Sequence, residues 1–456
     1  MSATTRYALG FLLVFLVVTT GFASPGFAEE PTKDDGAKWT GTVEQKVWGL
    51  MTIWAETKYA FPHFDKRPGL DWDATVQQYL PRVIAAETMD DYYLVLQELV
   101  ALLKHSHTRI TPPWGHFKPG FDLPQIEVNV LDGRFIITRV GGGDEIETQS
   151  IRPGLEILEV GEGIPVRDYF DDNVLKYHTQ GSQQGDEAIL TVYLLFGPAG
   201  DTVDLQIREL DGNVRDVTLT RNAFSSGGPP FMYRFVEKLF AETIETRMLD
   251  GDVLYVSIPN FEHARIEEDF RALIDTTDAA AIKGMIIDVR SNLGGNSTVT
   301  KGIVSCLIEG MVDSPLMRYR HYSAAEEAWG HEQKWSIDHS TVAPRDGKTY
   351  LGPLVLLVDG GTNSSAEDLV IELQQTGRVR VVGTQTCGGA GHGLVSTLPG
   401  GGQFSVSTFE ALFPDKRDFA GIGIRPDVEV YPSREDIYSG REVVVERGRS
   451  ILLNGK

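Results

Sequence analysis

The stretch VDGGTNSSAE, residues 358–367, decides how we interpret the C-terminal half of this chain. It begins where the apolar run LVLLV, residues 354–358, ends, and a run of this kind is typical of a strand buried in a mostly parallel sheet. A glycine turn follows, and then a helical pattern from about residue 365 to residue 376. Ligands of open α/β sheets bind where strands end and helices begin. The stretch therefore predicts an α/β core and a candidate site at the same place.

Two interpretations of the serines in this turn stay open. Serine is a preferred N-cap residue, and Ser364 with Glu367 matches a capping box, which is a purely structural role. The same position also suits a nucleophile, because the helix dipole and free N–H groups stabilise a developing oxyanion. The strand-turn-helix order is that of other serine hydrolases, although no Gly-x-Ser-x-Gly motif is present.

A second strand-to-turn junction lies upstream, in the sequence DVRSNLGGN of residues 288–296. Its Gly-Gly pair frees backbone N–H groups to face a ligand, although a plain glycine turn would look the same. Strands are expected near residues 252–258, 284–289 and 379–382, with a helix near 265–275. From about residue 235 to residue 456, this alternation predicts an α/β domain with crossover connections.

Two further segments precede this domain. Residues 39–111 carry apolar residues at helical spacing, among them Leu50, Met51 and Trp54, and predict a small helical bundle with Trp72 in its core. Residues 112–222 switch to an alternating pattern with Asp-Gly turns at 132–133 and 211–212, which predicts a β-rich module. The glycine- and proline-rich residues 225–230 are typical of a linker.

The first 28 residues are typical of a signal peptide, with Arg6, an apolar run and a small-x-small site that ends at Ala28. We therefore expect an exported protein, periplasmic or secreted, with a retained anchor as the alternative. No later stretch is apolar enough to span a membrane. The formal net charge of −22 argues against nucleic acid or an anionic membrane surface as a partner. Whether Cys306 and Cys387 pair stays open.

Four motifs, taken in order, resemble the C-terminal processing and tricorn-core family of serine peptidases, the S41-type peptidases. They are the bundle ending in LKHSHT (103–108), the strand and turn MIIDVR-NLGG (285–295), the stretch from 358 to 386, and the late turn GIRPD (423–427). The segment PGLEILEV (153–160) is similar to the family's PDZ-type module. The resemblance implies an α/β core of the crotonase-like, ClpP-like kind and a protein or peptide substrate, without a cofactor.

Carried over by position, the resemblance places the nucleophile at Ser364, with Ser365 as the competing serine. It places the oxyanion hole at the N–H of Ser365 and that of Gly294 or Gly295. The C-terminal processing branch takes its base from a lysine that would fall at Gly389, so a Ser-Lys dyad is excluded there. The tricorn branch takes its base from a Ser-His pair, which Ser106 and His107 match. His392 is a rival base.

The tricorn-like branch also has a glutamate before the Pro-Asp turn, and this chain has Ala420 there. Asp418 or Glu410 could substitute, although neither matches by position. This departure keeps a second hypothesis open, a binding protein for a lipophilic or peptide ligand on the same fold. A third hypothesis is a metal hydrolase in which His105 and His107 are ligands. The sequence leaves a homo-oligomer open as well.

Overall fold

The computed structural model describes residues 39–116, 118–225 and 233–455. The predicted signal peptide and most of the predicted linker lie outside the described residues. Within these ranges, no helix is both long enough and apolar enough to cross a membrane.

The N-terminal segment consists of helices, as the periodicity predicted. Its elements are α1 (Val43–Ala60), a 3-10 turn (Phe64–Lys66), α2 (Trp72–Ala85) and α3 (Met89–Ala101). Trp72 is buried and belongs to the core of these helices, as expected. The buried stripe of α1 differs from the predicted one, because Leu50 is buried while Met51 is exposed. The stripe instead continues through Ile53 and Thr57, one helical turn apart.

The middle segment is a β-rich module with short helices on one side. The elements from residue 109 to residue 220 are β1 (Arg109–Thr111), β2 (Phe121–Asp122), β3 (Ile126–Leu131), β4 (Arg134–Val140), α4 (Asp144–Thr148), β5 (Glu156–Val160), β6 (Ile164–Pro165), α5 (Val166–Phe170), a π-helical turn (Asp171–Leu175), α6 (Gln183–Ile189), a 3-10 turn (Leu190–Tyr193), β7 (Gly197–Pro198), β8 (Thr202–Arg208) and β9 (Val214–Thr220). The central sheet has the order β3-β4-β5-β8-β9, and the Asp-Gly turn at 132–133 joins β3 to β4.

The C-terminal segment is built on a six-stranded sheet of order β10-β11-β12-β17-β18-β22. Only the β10–β11 pair is antiparallel, which agrees with the predicted mostly parallel sheet. The elements are α7 (Arg234–Leu239), β10 (Glu245–Leu249), β11 (Val253–Ser257), α8 (Ala264–Thr276), β12 (Gly284–Asp288), α9 (Ser297–Ser305), β13 (Val312–Asp313), β14 (Leu316–His321), α10 (Ala324–Ala328), β15 (Lys334–Asp338), β16 (Thr341–Val342), β17 (Leu354–Val358), α11 (Ser365–Gln374), β18 (Val379–Gly383), β19 (Gly393–Thr397), β20 (Gln403–Ser407), β21 (Phe409–Leu412), β22 (Val428–Glu429), α12 (Arg434–Ser439) and α13 (Val443–Asn454).

Both faces of this sheet are covered by helices. One face packs against α8, α9 and α11 in the largest apolar cluster, and the other packs against α13. Burial on both faces explains why β12 and β17 are continuously apolar rather than alternating. The predicted α/β multi-domain architecture is confirmed.

The helical segment is attached to the C-terminal segment by a small three-stranded sheet of order β1-β20-β19. Strand β1 follows the Ser106-His107 pair directly, and it pairs with β20 from Arg109 to Thr111. The Ser405 hydroxyl donates to the backbone oxygen of His107 at 3.0 Å, and the Ser407 N–H donates to the Thr108 hydroxyl at 3.0 Å. These contacts bring a histidine from the N-terminal helices to the C-terminal sheet.

Candidate active site

The two predicted turns lie side by side at the carboxyl ends of the neighbouring strands β12 and β17. Asp359 joins them, because its carboxylate accepts from the N–H of Ser291 at 2.7 Å and from the N–H of Gly361 at 2.9 Å. The Asn363 N–H donates to the backbone oxygen of Asn292 at 3.0 Å. The two turns therefore form a single platform. Asp359 and Asn292 hold it together, a structural role that the sequence alone did not identify.

Ser364 has a strained backbone at the centre of this platform. Its φ is +55° and its ψ is −128°, in a region that residues with a side chain rarely adopt. A serine on a sharp, strained turn between a strand and a helix is the arrangement that exposes the nucleophile of other serine hydrolases. The purely structural cap interpretation does not require this conformation, since ordinary N-caps are extended.

Ser364 and Ser365 differ in access. Ser364 is partly exposed and lines a cavity of about 290 Å³. Ser365 is buried as the first residue of α11, and it is absent from the residues that line this cavity. The geometry therefore favours the predicted register, with Ser364 facing a ligand.

Glu367 holds the serine turn to the loop that follows β18. Its carboxylate accepts from the N–H of Ser364 at 3.2 Å, which is the interaction that the capping-box pattern predicted. It also accepts from the hydroxyl of Thr386, from the N–H of Gly388 at 2.7 Å and from the N–H of Gly389 at 2.9 Å. Burial raises the pKa of Glu367 to about 7, although these donors act to lower it. The sequence identified Glu367 only as a cap, so its role in binding this loop was missed.

The two predicted oxyanion-hole glycines have different roles. The N–H of Gly294 donates to the side-chain oxygen of Asn292 at 2.8 Å, so it is already used. Among the described residues, the N–H groups of Gly295 and Ser365 have no hydrogen-bond partner. Gly294 instead provides space, because a Cβ at this position would lie 2.8 Å from the Cβ of Ser364 and 3.0 Å from the nitrogen of Ser365. Of the two glycine alternatives, the geometry favours Gly295 as the donor.

His107 lines the same cavity as Ser364. The Ser106 hydroxyl lies 2.9 Å from Nδ1 of His107, so the predicted pair is formed. Burial, with smaller contributions from Arg109 and His392, lowers the pKa of His107 to about 3. The imidazole is therefore neutral at physiological pH, which is the state that a general base requires.

The rival base His392 lies in the cavity, whereas the two candidate third catalytic residues, Asp418 and Glu410, lie outside it. His392 lines the cavity, so the structure does not separate it from His107 by location. Asp418 is exposed and pairs with Lys66 at 3.0 Å. Glu410 is fully buried and pairs with His63 at 3.2 Å and with Arg318. Among the described residues, neither carboxylate contacts Ser106 or His107, because Asp418 pairs with Lys66 and Glu410 pairs with His63 and Arg318.

The two histidines of the metal hypothesis make other contacts, and their rings meet edge to face with centroids 6.1 Å apart. Nδ1 of His105 accepts from the backbone N–H of His107 at 3.2 Å, and the His105 ring packs on the ring of His63. No group of three or more His, Cys, Asp or Glu side chains in the described ranges is arranged to hold a metal ion. Cys306 and Cys387 are both buried free thiols, which answers the open question about their pairing.

Comparison with known proteins agrees with this geometry. Residues 252–430 match the model of peptidase family S41. The C-terminal segment of the chain therefore resembles peptidase family S41. This family was the one predicted, and so was its class of enzyme, the serine-type peptidases. The matched range contains the two glycine turns, Ser364 and the Pro-Asp turn, while His107 lies outside it.

The individual relatives of this chain are distant. It is 23% identical over 409 residues to tricorn protease homolog 2 of Streptomyces coelicolor, covering 84% of this chain and 30% of that protein. It is 22% identical over 425 residues to the chloroplastic carboxyl-terminal-processing peptidase 3 of Arabidopsis thaliana, covering 90% of this chain and 72% of that protein. The chain thus spans less than a third of the length of the Streptomyces relative.

Among solved structures, mature CPAF in complex with lactacystin has the same fold. Its TM-score against this chain is 0.72 at 16% sequence identity, and the match covers 91% of this chain and 99% of that one. Because this coverage includes the N-terminal helices, the likeness in fold extends over the segment that carries His107 as well as over the matched C-terminal range.

Proposed function

We propose that this chain is an exported serine endopeptidase in which Ser364 is the nucleophile and His107 is the general base. One observation carries the proposal. The strained Ser364 shares a cavity with a neutral histidine, and it adjoins two backbone N–H groups that no other described residue uses. A nucleophile, a base and an oxyanion hole are the three parts that acyl transfer requires.

The roles follow from the hydrogen bonds. When Nδ1–H of His107 donates to the hydroxyl of Ser106, the lone pair of Nε2 is left to accept the proton of Ser364. The Ser364 oxygen then attacks the carbonyl carbon of a peptide bond. The N–H groups of Ser365 and Gly295 would bind the oxyanion, with the N-terminus of α11 adding a favourable dipole. The protonated His107 finally gives its proton to the leaving amine.

The names of the relatives support a peptide as the substrate, since they are processing peptidases and tricorn homologues. The β-rich module of residues 112–222 would receive a substrate segment as an added strand, in the manner of a PDZ-type domain. Export is part of the proposal because of the sequence pattern at residues 1–28.

A second function, a binding protein on the same fold, is favoured by one observation. Among the described residues, no carboxylate contacts the Ser106-His107 pair, and a base whose pKa is about 3 is a weak one. A chain that had lost its turnover would keep the cavity and could bind a lipophilic or peptide ligand there. The experiment below separates the two functions.

The test is covalent labelling of the chain, expressed from Glu29 onward, with a fluorophosphonate that reacts with activated serines. We expect mass spectrometry to locate the adduct on Ser364, and we expect Ser364→Ala and His107→Ala each to abolish it. Ser365→Ala is the matched control, because it keeps the backbone N–H and should still be labelled. An adduct that survives His107→Ala would move the base to His392. A folded protein that takes up no label, yet binds a peptide or lipid, would favour the binding protein.

A further inference from the structure

Glu262 is a carboxylate in the candidate active-site cavity that the mechanism does not use. It lines the same cavity as Ser364 and Gly295. Its side chain has no hydrogen bond or ion pair from any described residue. By contrast, Asp288 is held by Arg290 at 2.6 Å, and Asp359 is held by the turn of Ser291. An acidic side chain without a partner, in a cavity, is a candidate for contact with a ligand.

The backbone of Glu262 is fixed against the oxyanion hole. The preceding residue, Phe261, pairs with the glycine turn through two backbone hydrogen bonds. Its N–H donates to the carbonyl oxygen of Gly294 at 2.9 Å, and its own carbonyl oxygen accepts from the N–H of Asn296 at 2.9 Å. A Cβ on Gly295 would lie 2.8 Å from the nitrogen of Glu262. Glu262 therefore lies beside the N–H group proposed to bind the carbonyl oxygen of the substrate, and among the described residues that line the cavity it is the one acidic side chain.

A buried asparagine holds this segment rigidly. The side-chain oxygen of Asn260 accepts from the N–H of Glu262 at 2.9 Å. Its amide group donates to the carbonyls of Lys238 and Ala241, each at 2.7 Å. These contacts join the wall that carries Glu262 to α7 and to the residues just after it. A site held this way needs little reorganisation to bind a ligand.

The wall beside Glu262 is apolar. The side chains of Phe235, Val236 and Leu239 on α7 line the cavity, and so does Leu293, which precedes the glycine turn. Apolar surroundings fit this carboxyl group, since burial alone raises the pKa of Glu262 to about 7, with no neighbouring charge contributing. A side chain with an aliphatic stem and a cationic end matches an apolar wall that carries one carboxylate.

We infer that Glu262 selects a lysine or arginine at the substrate residue whose carbonyl oxygen enters the oxyanion hole. The side chain of that residue begins two bonds from the carbonyl carbon, and in the proposed binding mode it faces the wall that Gly295 and Glu262 form. Its stem would pack on α7 and Leu293, and its cation would pair with the Glu262 carboxylate in a charge-assisted hydrogen bond. This inference rests on the proposed function, because it assigns a specificity to the same nucleophile.

The experiment compares two activity-based probes on the chain expressed from Glu29 onward. Both are peptidyl diphenyl phosphonates of the same sequence, and they end in a lysine analogue or in a norleucine analogue, which keeps the four-carbon stem and lacks the ammonium group. At pH 8 we expect the lysine probe to label Ser364 at least about 10-fold faster than the norleucine probe. Glu262→Gln should remove most of this ratio, and Glu262→Lys should invert it. Glu268→Gln is the matched control, since it removes the same charge from an exposed position on α8 outside the cavity.

The outcomes separate the two claims. If no probe and no fluorophosphonate reacts with Ser364, the proposed function itself fails. If the fluorophosphonate reacts and the lysine and norleucine probes label equally, the inference about Glu262 is overturned while the peptidase stands. A lysine preference that persists in Glu262→Gln would also overturn it. Because the fluorophosphonate rate of each variant measures the intact nucleophile, a folding defect in Glu262→Gln would not be mistaken for lost selectivity.

Discussion

Gly389 and Asn363 lie so close that a Cβ on Gly389 would be only 1.9 Å from the side-chain oxygen of Asn363. The family resemblance aligns Gly389 with the catalytic lysine of the C-terminal processing branch, and Asn363 directly precedes the candidate nucleophile. In this packing, any side chain at residue 389 would force the Asn363 side chain to move. The chain therefore lacks the lysine and has also filled the space that a lysine would enter. A base must come from elsewhere, and the cavity offers His107 and His392.

We predict that Gly389→Ala destabilises the protein and that Asn363→Ala relieves the effect. Alone, Gly389→Ala should lower the free energy of unfolding by about 1–3 kcal/mol, as overpacking of a tight site does. In the Asn363→Ala background the same change should cost less than about 1 kcal/mol, because the clashing oxygen is gone. Urea unfolding of the four proteins measures this coupling. Additive effects of the two substitutions would show that the contact is not the cause.

We predict that Gly294→Ala disables the nucleophile. Gly294 has a φ of +97°, and an added Cβ would press on Ser364 and on the oxygen of Asn363 at 2.8 Å. Displacing the turn should slow fluorophosphonate labelling by about 100-fold or more, the size of effect found when one oxyanion-hole contact is lost. Gly310→Ala is the control, because nothing lies within 4 Å of that added atom. Labelling of Gly294→Ala at the normal rate would contradict this reading of the platform.

We predict that Glu367→Gln uncouples the serine turn from the loop after β18. A carboxylate can accept from all four donors, whereas an amide presents its NH₂ group to two of them. Each buried donor left unsatisfied should cost about 1–3 kcal/mol, and labelling of Ser364 should fall. Glu372→Gln is the matched control on the same helix. It removes a buried carboxylate that accepts a hydrogen bond from the Ser314 hydroxyl, away from the site. This variant should leave the labelling rate unchanged.

The contribution of Glu367 to stability should depend on pH. Its pKa is raised in the folded protein to about 7 from a usual value of 4.5, so the native state binds the proton more tightly than the unfolded chain. The stabilisation is therefore complete below about pH 4.5 and decreases as the pH rises through 7, by at most about 1.4 kcal/mol per pH unit. Urea unfolding of the wild type and of Glu367→Gln between pH 5 and pH 8 measures it. A difference between the two proteins that is constant with pH would contradict the shift.

We predict that the acid limb of the labelling rate lies well below neutral pH if His107 is the base. Because its pKa is lowered to about 3, His107 stays neutral and competent as the pH falls from 7 to 5. The fluorophosphonate rate constant should be flat over this range, with circular dichroism at each pH to show that the protein remains folded. A decrease with a midpoint above pH 6 would identify another group as the base.

The sequence determined the elements around the site because their signals are local. The apolar run of β17, the glycine turn and the first residues of α11 follow from hydrophobic burial, turn chemistry and capping, each readable within about ten residues. The predicted positions of Ser364, Ser365 and the Ser106-His107 pair came from four short motifs in a fixed order. The exposed side of α1 was misjudged at Met51, because several phases of the helix are apolar and only packing selects one.

Only the tertiary structure decided how these pieces meet. Residues 107 and 364 are far apart in sequence, and the pairing of β1 with β20 brings one to the other; no local pattern encodes such a pairing. The side chain of Asn292 accepts the N–H of Gly294, so the N–H of Gly295 is the one left without a partner among the described residues. Glu410 pairs with His63 and Arg318 instead of contacting the Ser106-His107 pair. Glu262 had no signal in the sequence at all, since a carboxylate without a partner is recognised by what surrounds it. Hydrogen bonds and burial between distant segments are properties of the folded chain. The sequence therefore predicted the candidate nucleophile, whereas the positions of the groups around it follow only from the tertiary structure.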